Sequence, residues 1–381
     1  MALLLAAAKK KKQKRDVFVL AIQQPLSGEN AVAGQSVQDA ARLFVDQRNK
    51  AGGFLGKQIK LVSYDEQSTA EEAVKVANRI VDIDKADVVI GSLISSNLFA
   101  SGRIFDEAKT PVFGIGFSPS WMNQGWKYIY RANMNTDVSI PSLVRTVYDM
   151  GIRSVAIIRG EDDSSITGSD AFVRAAEPLG MRITTITSHA ANDTDFSGQI
   201  AAMLATNPDT IYLSTFNYVV GTFMRQVRGF GYRNLILSKE VFTIDQIQVA
   251  QQHANDFIFV APYVTYPTVE EAVDPQMRQM LADYLAAFGK MPQHDCAFRA
   301  WDAMLALEAA IKIANSTEKS AIGDAVFKVK DLKVLGGTLD FTRGSGEGMH
   351  FVPTFIIQDM KYIPVQSWLD AGGYERFKAQ L

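Results

Sequence analysis

Cysteine is all but missing from this chain: Cys296 stands alone among 381 residues. That excludes an intramolecular disulfide and any metal site built from several thiolates, and it leaves the compartment open. Long apolar runs are missing as well; none approaches the ~20 residues that a membrane-spanning helix needs. The four histidines (His189, His253, His294, His350) are far apart, and none belongs to an H-E-x-x-H pair. Each is therefore read as a surface or internally satisfied side chain and not as a metal ligand. No phosphate loop of the G-x-x-x-x-G-K-[ST] type is present. Gly116-Phe117-Ser118-Pro119-Ser120 begins like a nucleophile elbow, but Ser120 stands where the second glycine belongs. Gly114-Ile115-Gly116 lacks the third glycine of a dinucleotide fingerprint. The paired acids Asp82/Asp84 and Glu161-Asp162-Asp163 read as solvated charges, with Asp163 kept as a secondary candidate for ligand contact. These absences speak against an enzyme, and the expectation is a protein with neither cofactor nor metal.

With 47% hydrophobic and 21% charged residues the chain has the make-up of an ordinary globular protein. Its length suits two domains. Residues 1–15 stand apart: eight apolar residues, then six positive charges from Lys9 to Arg15. A secretory signal carries its basic residues before the apolar core, so this order reads as a signal remnant or an artefactual extension. A nucleic-acid patch is the weaker reading, because the remaining body carries a formal charge of −8.

The chain is organised around Ala86-Asp87-Val88-Val89-Ile90-Gly91-Ser92-Leu93-Ile94-Ser95-Ser96-Asn97. The first half reads as a strand buried on both faces. The second half turns polar and opens a helix through Phe99, Ile104 and Ala108. Hydroxyls and free N–H groups at the positive end of a helix can seat a small anion such as a carboxylate. The same serines can also serve only as helix caps, and both readings stand.

Around this segment, strands and helices alternate. Strand-like runs at 17–22, 59–64, 87–91 and 111–115 are separated by helical periodicities, and Ser68 and Thr69 each have a glutamate three residues on, a doubled capping box. The pattern restarts near Tyr130-Arg131-Ala132-Asn133, with strands at 154–158, 182–187, 210–213, 235–237 and 257–260. Two helices follow, at 275–288 and 297–314, and their Trp301 and Met304 read as core. The tail at 336–342, 355–358 and 362–365 reads as strands around the Gly-rich 344–348 loop. Alternation of this kind implies parallel sheets with crossover helices on both faces, in two similar α/β lobes.

Several stretches, in order, carry a resemblance. Pro25-Leu26-Ser27-Gly28, Lys50-Ala51-Gly52-Gly53-Phe54-Leu55-Gly56-Lys57, Tyr64-Asp65-Glu66-Gln67-Ser68, the 73–96 run, residues 119–131 and 221–228, Trp301-Asp302-Ala303 and Gly337-Thr338-Leu339-Asp340-Phe341 together resemble the leucine/isoleucine/valine-binding-protein family. These are type I periplasmic substrate-binding proteins of ABC transporters, and the resemblance covers nearly all of residues 16–365. It implies an α/β fold of two doubly wound parallel-sheet lobes joined by three hinge crossovers, with ligand in the cleft between them. The lobes expected are residues 16–132 with 264–341, and 133–263 with 342–381.

Site residues follow from the resemblance one at a time. Ser95 matches the serine that holds the ligand carboxylate, with Ser96 beside it. The next loop, which supplies a further hydroxyl and amide, falls on Ile115, Phe117 and Ser118, a departure from the family pattern. Phe216 takes the place of an aromatic contact, and Glu240 that of the glutamate that pairs with the ligand ammonium. Ala33 replaces an aromatic in the first loop, and Ser165 stands for a second-lobe tyrosine. The implied function is an extracytoplasmic, monomeric binder that captures a small solute, with an amino acid of branched-chain type in the lead. It would deliver that solute to the transmembrane subunits of an ABC permease. The alternatives are a cytoplasmic ligand sensor on the same fold and a binder of aromatic or aliphatic carboxylates.

Overall fold

A computed structural model describes residues 16–239, 242–272 and 274–381. The first half of the chain builds one sheet from β1 (Val17–Gln24), β2 (Gln58–Asp65), β3 (Val88–Ile90), β4 (Val112–Gly114) and β5 (Ile129–Arg131). All pairings are parallel, in the order β2-β1-β3-β4-β5. The crossovers between them are α1 (Ala31–Lys50), α2 (Ala70–Arg79) and α3 (Ser95–Glu107).

The second sheet holds β6 (Ser154–Gly160), β7 (Arg182–His189), β8 (Thr210–Ser214), β9 (Ile236–Ser238) and β10 (Phe257–Val260), again parallel to one another. Its helices are α4 (Thr136–Asp149), α5 (Asp163–Ala176), α6 (Ser197–Leu204), α7 (Asn217–Gly229) and α8 (Ile244–Ala250). The chain then adds α9 (Pro275–Phe288), α10 (Cys296–Ala314) and α11 (Lys319–Val326). The small hairpin of β11 (Leu332–Val334) and β12 (Gly337–Leu339) follows. β13 (Thr354–Gln358) and β14 (Lys361–Pro364) extend the second sheet antiparallel at β10, ahead of α12 (Val365–Asp370) and α13 (Gly373–Lys378).

The two-residue period of the strands explains the layers. In the first lobe Phe18, Leu20, Ile22, Val88 and Ile90 face α1 and α10, where Phe44 meets Trp301 edge to face at 5.3 Å. The intervening Val19, Ala21 and Val89 face α2 and α3 through Val76, Ala77, Leu98 and Phe105. In the second lobe Val155, Ile157 and Tyr212 pack toward α5, with Phe172 stacked on Tyr212 at 4.3 Å. Ala156, Ile158, Ile211 and Leu213 face α6 and α7. The first half of α10, Cys296 to Met304, is buried on every side, while Lys312 and Ile313 near its end are exposed. Trp301 and Met304 are core residues, as their positions implied.

Some local expectations changed. Of the two possible caps of α2, Thr69 is the one used, accepting from the Glu72 N–H at 3.3 Å. Ser68 instead turns at φ 58° and donates to the Ser27 carbonyl. Residues 337–339 pair with 332–334 and not with the 355–358 strand. The short helices α11, α12 and α13 carry too few turns for a clear periodicity, and the sequence reading passed over them.

The chain passes between the sheets three times: after Arg131, after Val260 and between β12 and β13. The first and third crossings are bonded to each other: Arg131 N–H donates to the Gly346 carbonyl and Gly348 N–H to that of Arg131, both at 2.9 Å. The two-lobe parallel-sheet architecture implied by the resemblance is the one present.

Candidate functional site

The carboxyl ends of the first sheet's strands carry polar side chains that are fully buried: Gln23, Gln24, Glu66 and Ser92. They shape the turn after β3. Gln24 bonds the Gly91 carbonyl through its amide nitrogen and accepts from Leu93 N–H at 3.1 Å through its oxygen. Ser92 Oγ donates to Glu66 and accepts from Ile94 N–H at 2.9 Å. Gln23 donates to the other Glu66 oxygen at 2.9 Å. Burial pushes the Glu66 carboxyl up to about 7 against the pull of these donors. The result is a rigid Leu93-Ile94-Ser95 turn whose Leu93 side chain reaches the cleft.

Ser95 begins α3, and its hydroxyl accepts the Ser118 N–H at 3.2 Å. Gly116 makes that approach possible, since a Cβ there would stand 2.7 Å from Ser95 Oγ. Ser95 therefore braces the loop after β4 from beneath. Ser96 is half-buried, one position further along the helix. In the braced loop Ile115 is buried and its carbonyl accepts from Asn133 at 3.2 Å. Phe117 turns its ring into the cleft while its carbonyl accepts from Thr136 N–H and Oγ1. Ser118 Oγ lies 3.3 Å from Thr167 of the second lobe, and Ser120 Oγ donates to Asp163 at 2.9 Å. The lobes thus touch across the cleft, and Asp163 makes an inter-lobe contact.

On the second lobe Asp162 caps α5 by accepting from Ser165 N–H at 3.0 Å. Ser165 is buried behind the wall, and its neighbour Ser164 lines the cleft. Lys239 donates to Ser164 Oγ at 3.1 Å and lies 5.5 Å from the centre of the Phe216 ring. Phe216 lines the cleft with Tyr218, their rings stacked at 5.9 Å and 14°. Glu240 lies outside the described residues. Of the sequence candidates, then, Phe117 and Phe216 face one cavity, Ser95 and Ser118 support it, and Ile115 and Ser165 are buried beside it.

The cavity, about 160 Å³, takes walls from both lobes. The sequence reading missed much of its lining. Asn30 and Val32 come from the start of α1, beside the Ala33 already noted, and Asn217 and Gln246 from α7 and α8. Glu29 and Asp245 form an exposed acidic rim. The floor comes from the residues that open α10: His294, Cys296 and Arg299. Asp295 ties them together, 2.9 Å from His294 Nδ1 and 2.7 Å from Arg299 Nε. The Arg299 guanidinium also stacks on Phe117 at 3.9 Å. Burial opposes a charged His294, but the Cys296 sulfur and Asp295 outweigh it and raise the imidazole to about 10. Arg299 and His294 hold the Asp295 carboxyl below its ordinary value despite its burial. One signal for this floor was visible: a histidine, an acid and an arginine within six residues at the start of an otherwise apolar helix.

A family model described as periplasmic binding protein matches residues 19–358. The chain belongs to the periplasmic binding protein family. Members are solute-binding proteins and not enzymes, and this chain is one of them. An amino acid binding protein of Pseudomonas aeruginosa is 26% identical over 60% of this chain and 62% of its own. The leucine-, isoleucine-, valine-, threonine- and alanine-binding protein of the same organism is 22% identical over 82% of each. Among solved structures, the branched-chain amino acid transporter substrate binding protein LivJ of Streptococcus pneumoniae, in complex with isoleucine, superposes with a TM-score of 0.81. It is 21% identical and covers 91% of this chain and 97% of its own. An ABC transporter solute binding protein of Rhodopseudomonas palustris, in complex with benzoate, also reaches 0.81, at 16% identity over 92% and 95%. Likeness at such identities fixes the fold and leaves the ligand to the residues of the cleft.

Proposed function

We propose that this protein is the extracytoplasmic receptor of an ABC importer, closing its lobes on a small carboxylate-bearing solute and passing it to the transmembrane subunits. The observation that carries the reading is the shared cleft: Leu93, Phe117 and His294 come from one lobe, and Ser164, Phe216 and Gln246 from the other. A solute held there touches both lobes at once, so its binding energy favours the closed arrangement. We take the lobes as residues 16–132 with 264–341 and 133–263 with 342–381. The named relatives put amino acids first among candidate solutes. The cationic floor and the benzoate-bound neighbour favour, as a second reading, carboxylates that carry no amine. Export and permease delivery rest on family membership.

The test is a thermal-shift screen against amino acids, aliphatic and aromatic carboxylates and their amides. A ligand at a hundred times its Kd adds about 2.7 kcal/mol to stability and raises the melting temperature visibly. Stabilisation by a small carboxylate supports the reading; a flat screen up to millimolar concentrations contradicts it.

A further inference from the structure

We propose that His294 is the residue that selects the ligand, its Nε2–H donating to the ligand's carboxylate, and that the ligand is an apolar monocarboxylate with a ring-sized body. The proposal rests on the solute-capture reading above and names the chemistry of that same cleft.

His294 immediately precedes Asp295 and α10, and it lines the cavity. Its Nδ1 edge is turned inward, 2.9 Å from an oxygen of the buried Asp295 and 3.2 Å from the backbone nitrogen of Cys296. The other edge, which carries Nε2, is the one left to the cleft. The Asp295 carboxylate beside Nδ1 decides what that edge offers. In a neutral ring the carboxylate 2.9 Å from Nδ1 would hold the single proton on Nδ1 and leave Nε2 an acceptor. In the charged ring, which Asp295 favours, both nitrogens carry protons. Asp295 at 2.9 Å and the raised imidazole value favour the charged ring, so Nε2 offers an N–H and a positive charge to the cleft. Asp295 cannot swing away to change this, because Arg299 grips it through Nε at 2.7 Å and Nη2 at 2.6 Å. An acid orienting a histidine from behind, with the far nitrogen presented to a ligand, is the same logic that orients metal-binding and catalytic histidines.

The rest of the cavity defines the body and the charge of the solute. Val32, Ala33, Leu93, Phe117 and Phe216 supply apolar and aromatic walls. A volume of about 160 Å³ is on the scale of the ~150 Å³ cavity that admits benzene. The exposed acids Glu29 and Asp245 at the rim disfavour a second carboxylate on the ligand. Ser95, the residue that resemblance offers for the carboxylate, accepts the Ser118 N–H under the loop and is not among the residues that line the cavity.

The experiment is calorimetric titration of two acid–amide pairs, benzoate with benzamide and 4-methylpentanoate with 4-methylpentanamide, into wild type, His294→Ala and His294→Gln. At least one acid should bind wild type about 10- to 100-fold more tightly than its amide, the range of a hydrogen bond to a charged group. His294→Ala should erase that preference, and His294→Gln, which can place an amide N–H near the lost Nε2, should restore part of it. A merely structural histidine would weaken acid and amide alike, so the ratio separates the two roles. Equal binding of acid and amide by wild type, an unchanged ratio in His294→Ala, or no binding of either acid at millimolar concentration overturns the proposal. If leucine or another solute from the thermal screen binds without these shifts, the His294 assignment fails and solute capture stands. If no solute stabilises the protein, both fail.

Discussion

Arg131 and Glu347 form a two-pronged ion pair inside the hinge, with Nε donating to Oε2 at 2.8 Å and Nη2 bonded to Oε1. Arg131 is wholly buried and Glu347 nearly so. The third guanidinium nitrogen, Nη1, donates to the carbonyls of Gly116 at 3.0 Å and Ser118 at 2.8 Å. Trp121 covers its face at 4.7 Å. One side chain thus joins the first crossing, the third crossing and the loop that carries Phe117 into the cleft.

Removing one partner of such a pair strands a charge in the interior. Glu347→Ala should cost about 3–5 kcal/mol of stability, far more than a surface ion pair. Equilibrium unfolding in denaturant measures it. A loss under about 1 kcal/mol would mean that the pair is solvated in solution and does not organise the hinge.

Glu66 gives a pH signature. Burial raises its carboxyl from 4.5 to about 7, so the folded protein holds this proton more tightly than the unfolded chain does. The stabilisation is complete below 4.5 and is lost as the pH rises through about 7. Glu66→Gln is neutral at every pH and lacks this slope. Its stability relative to wild type should rise by roughly 2–3 kcal/mol between pH 5 and pH 8. Parallel curves for the two proteins would show that the carboxylate is ionised throughout.

Ser95 separates brace from ligand contact. As a brace its hydroxyl accepts the Ser118 N–H, and Ser95→Ala leaves that buried donor unmet at about 1–3 kcal/mol of stability. Ligand affinity then falls only modestly. A mutant that melts like wild type yet loses binding by 30-fold or more would return Ser95 to the carboxylate.

How much of this was legible in the sequence depends on the reach of each signal. β1 announces itself because Phe18-Val19-Leu20-Ala21-Ile22 is apolar on both faces and buried on both, and α9 because Asp274 and Pro275 mark its start. Repeated over the chain, such local signals are enough for the parallel-sheet lobes. The cleft is different. It gathers the start of α1, the turn after β3, the loop after β4, the beginnings of α5, α7 and α8, and the floor at α10. Nothing in the spacing of His294 says that it faces Phe216. Ser164 and Ser165 show the limit at single-residue scale: both are buried at the start of a helix, only Ser164 lines the cavity, and the sequence reading took Ser165.

Glu240 lies outside the described residues, and its expected role comes from resemblance alone. If the solute is an amino acid whose ammonium it meets, Glu240→Gln should weaken binding by roughly 2–4 kcal/mol and spare the deaminated acid. Equal losses for both would remove the ammonium role, and no loss for either would place Glu240 away from the ligand.

The central claim is that a small solute draws two lobes together around it. Small-angle scattering tests this directly, on the protein alone and saturated with the best carboxylate from the thermal screen. The saturated curve should match the structure described here, in which Ser120 reaches Asp163 across the cleft at 2.9 Å, and the unliganded protein should show a larger radius of gyration. Identical curves at saturation would contradict closure and with it the account of how this protein holds its ligand.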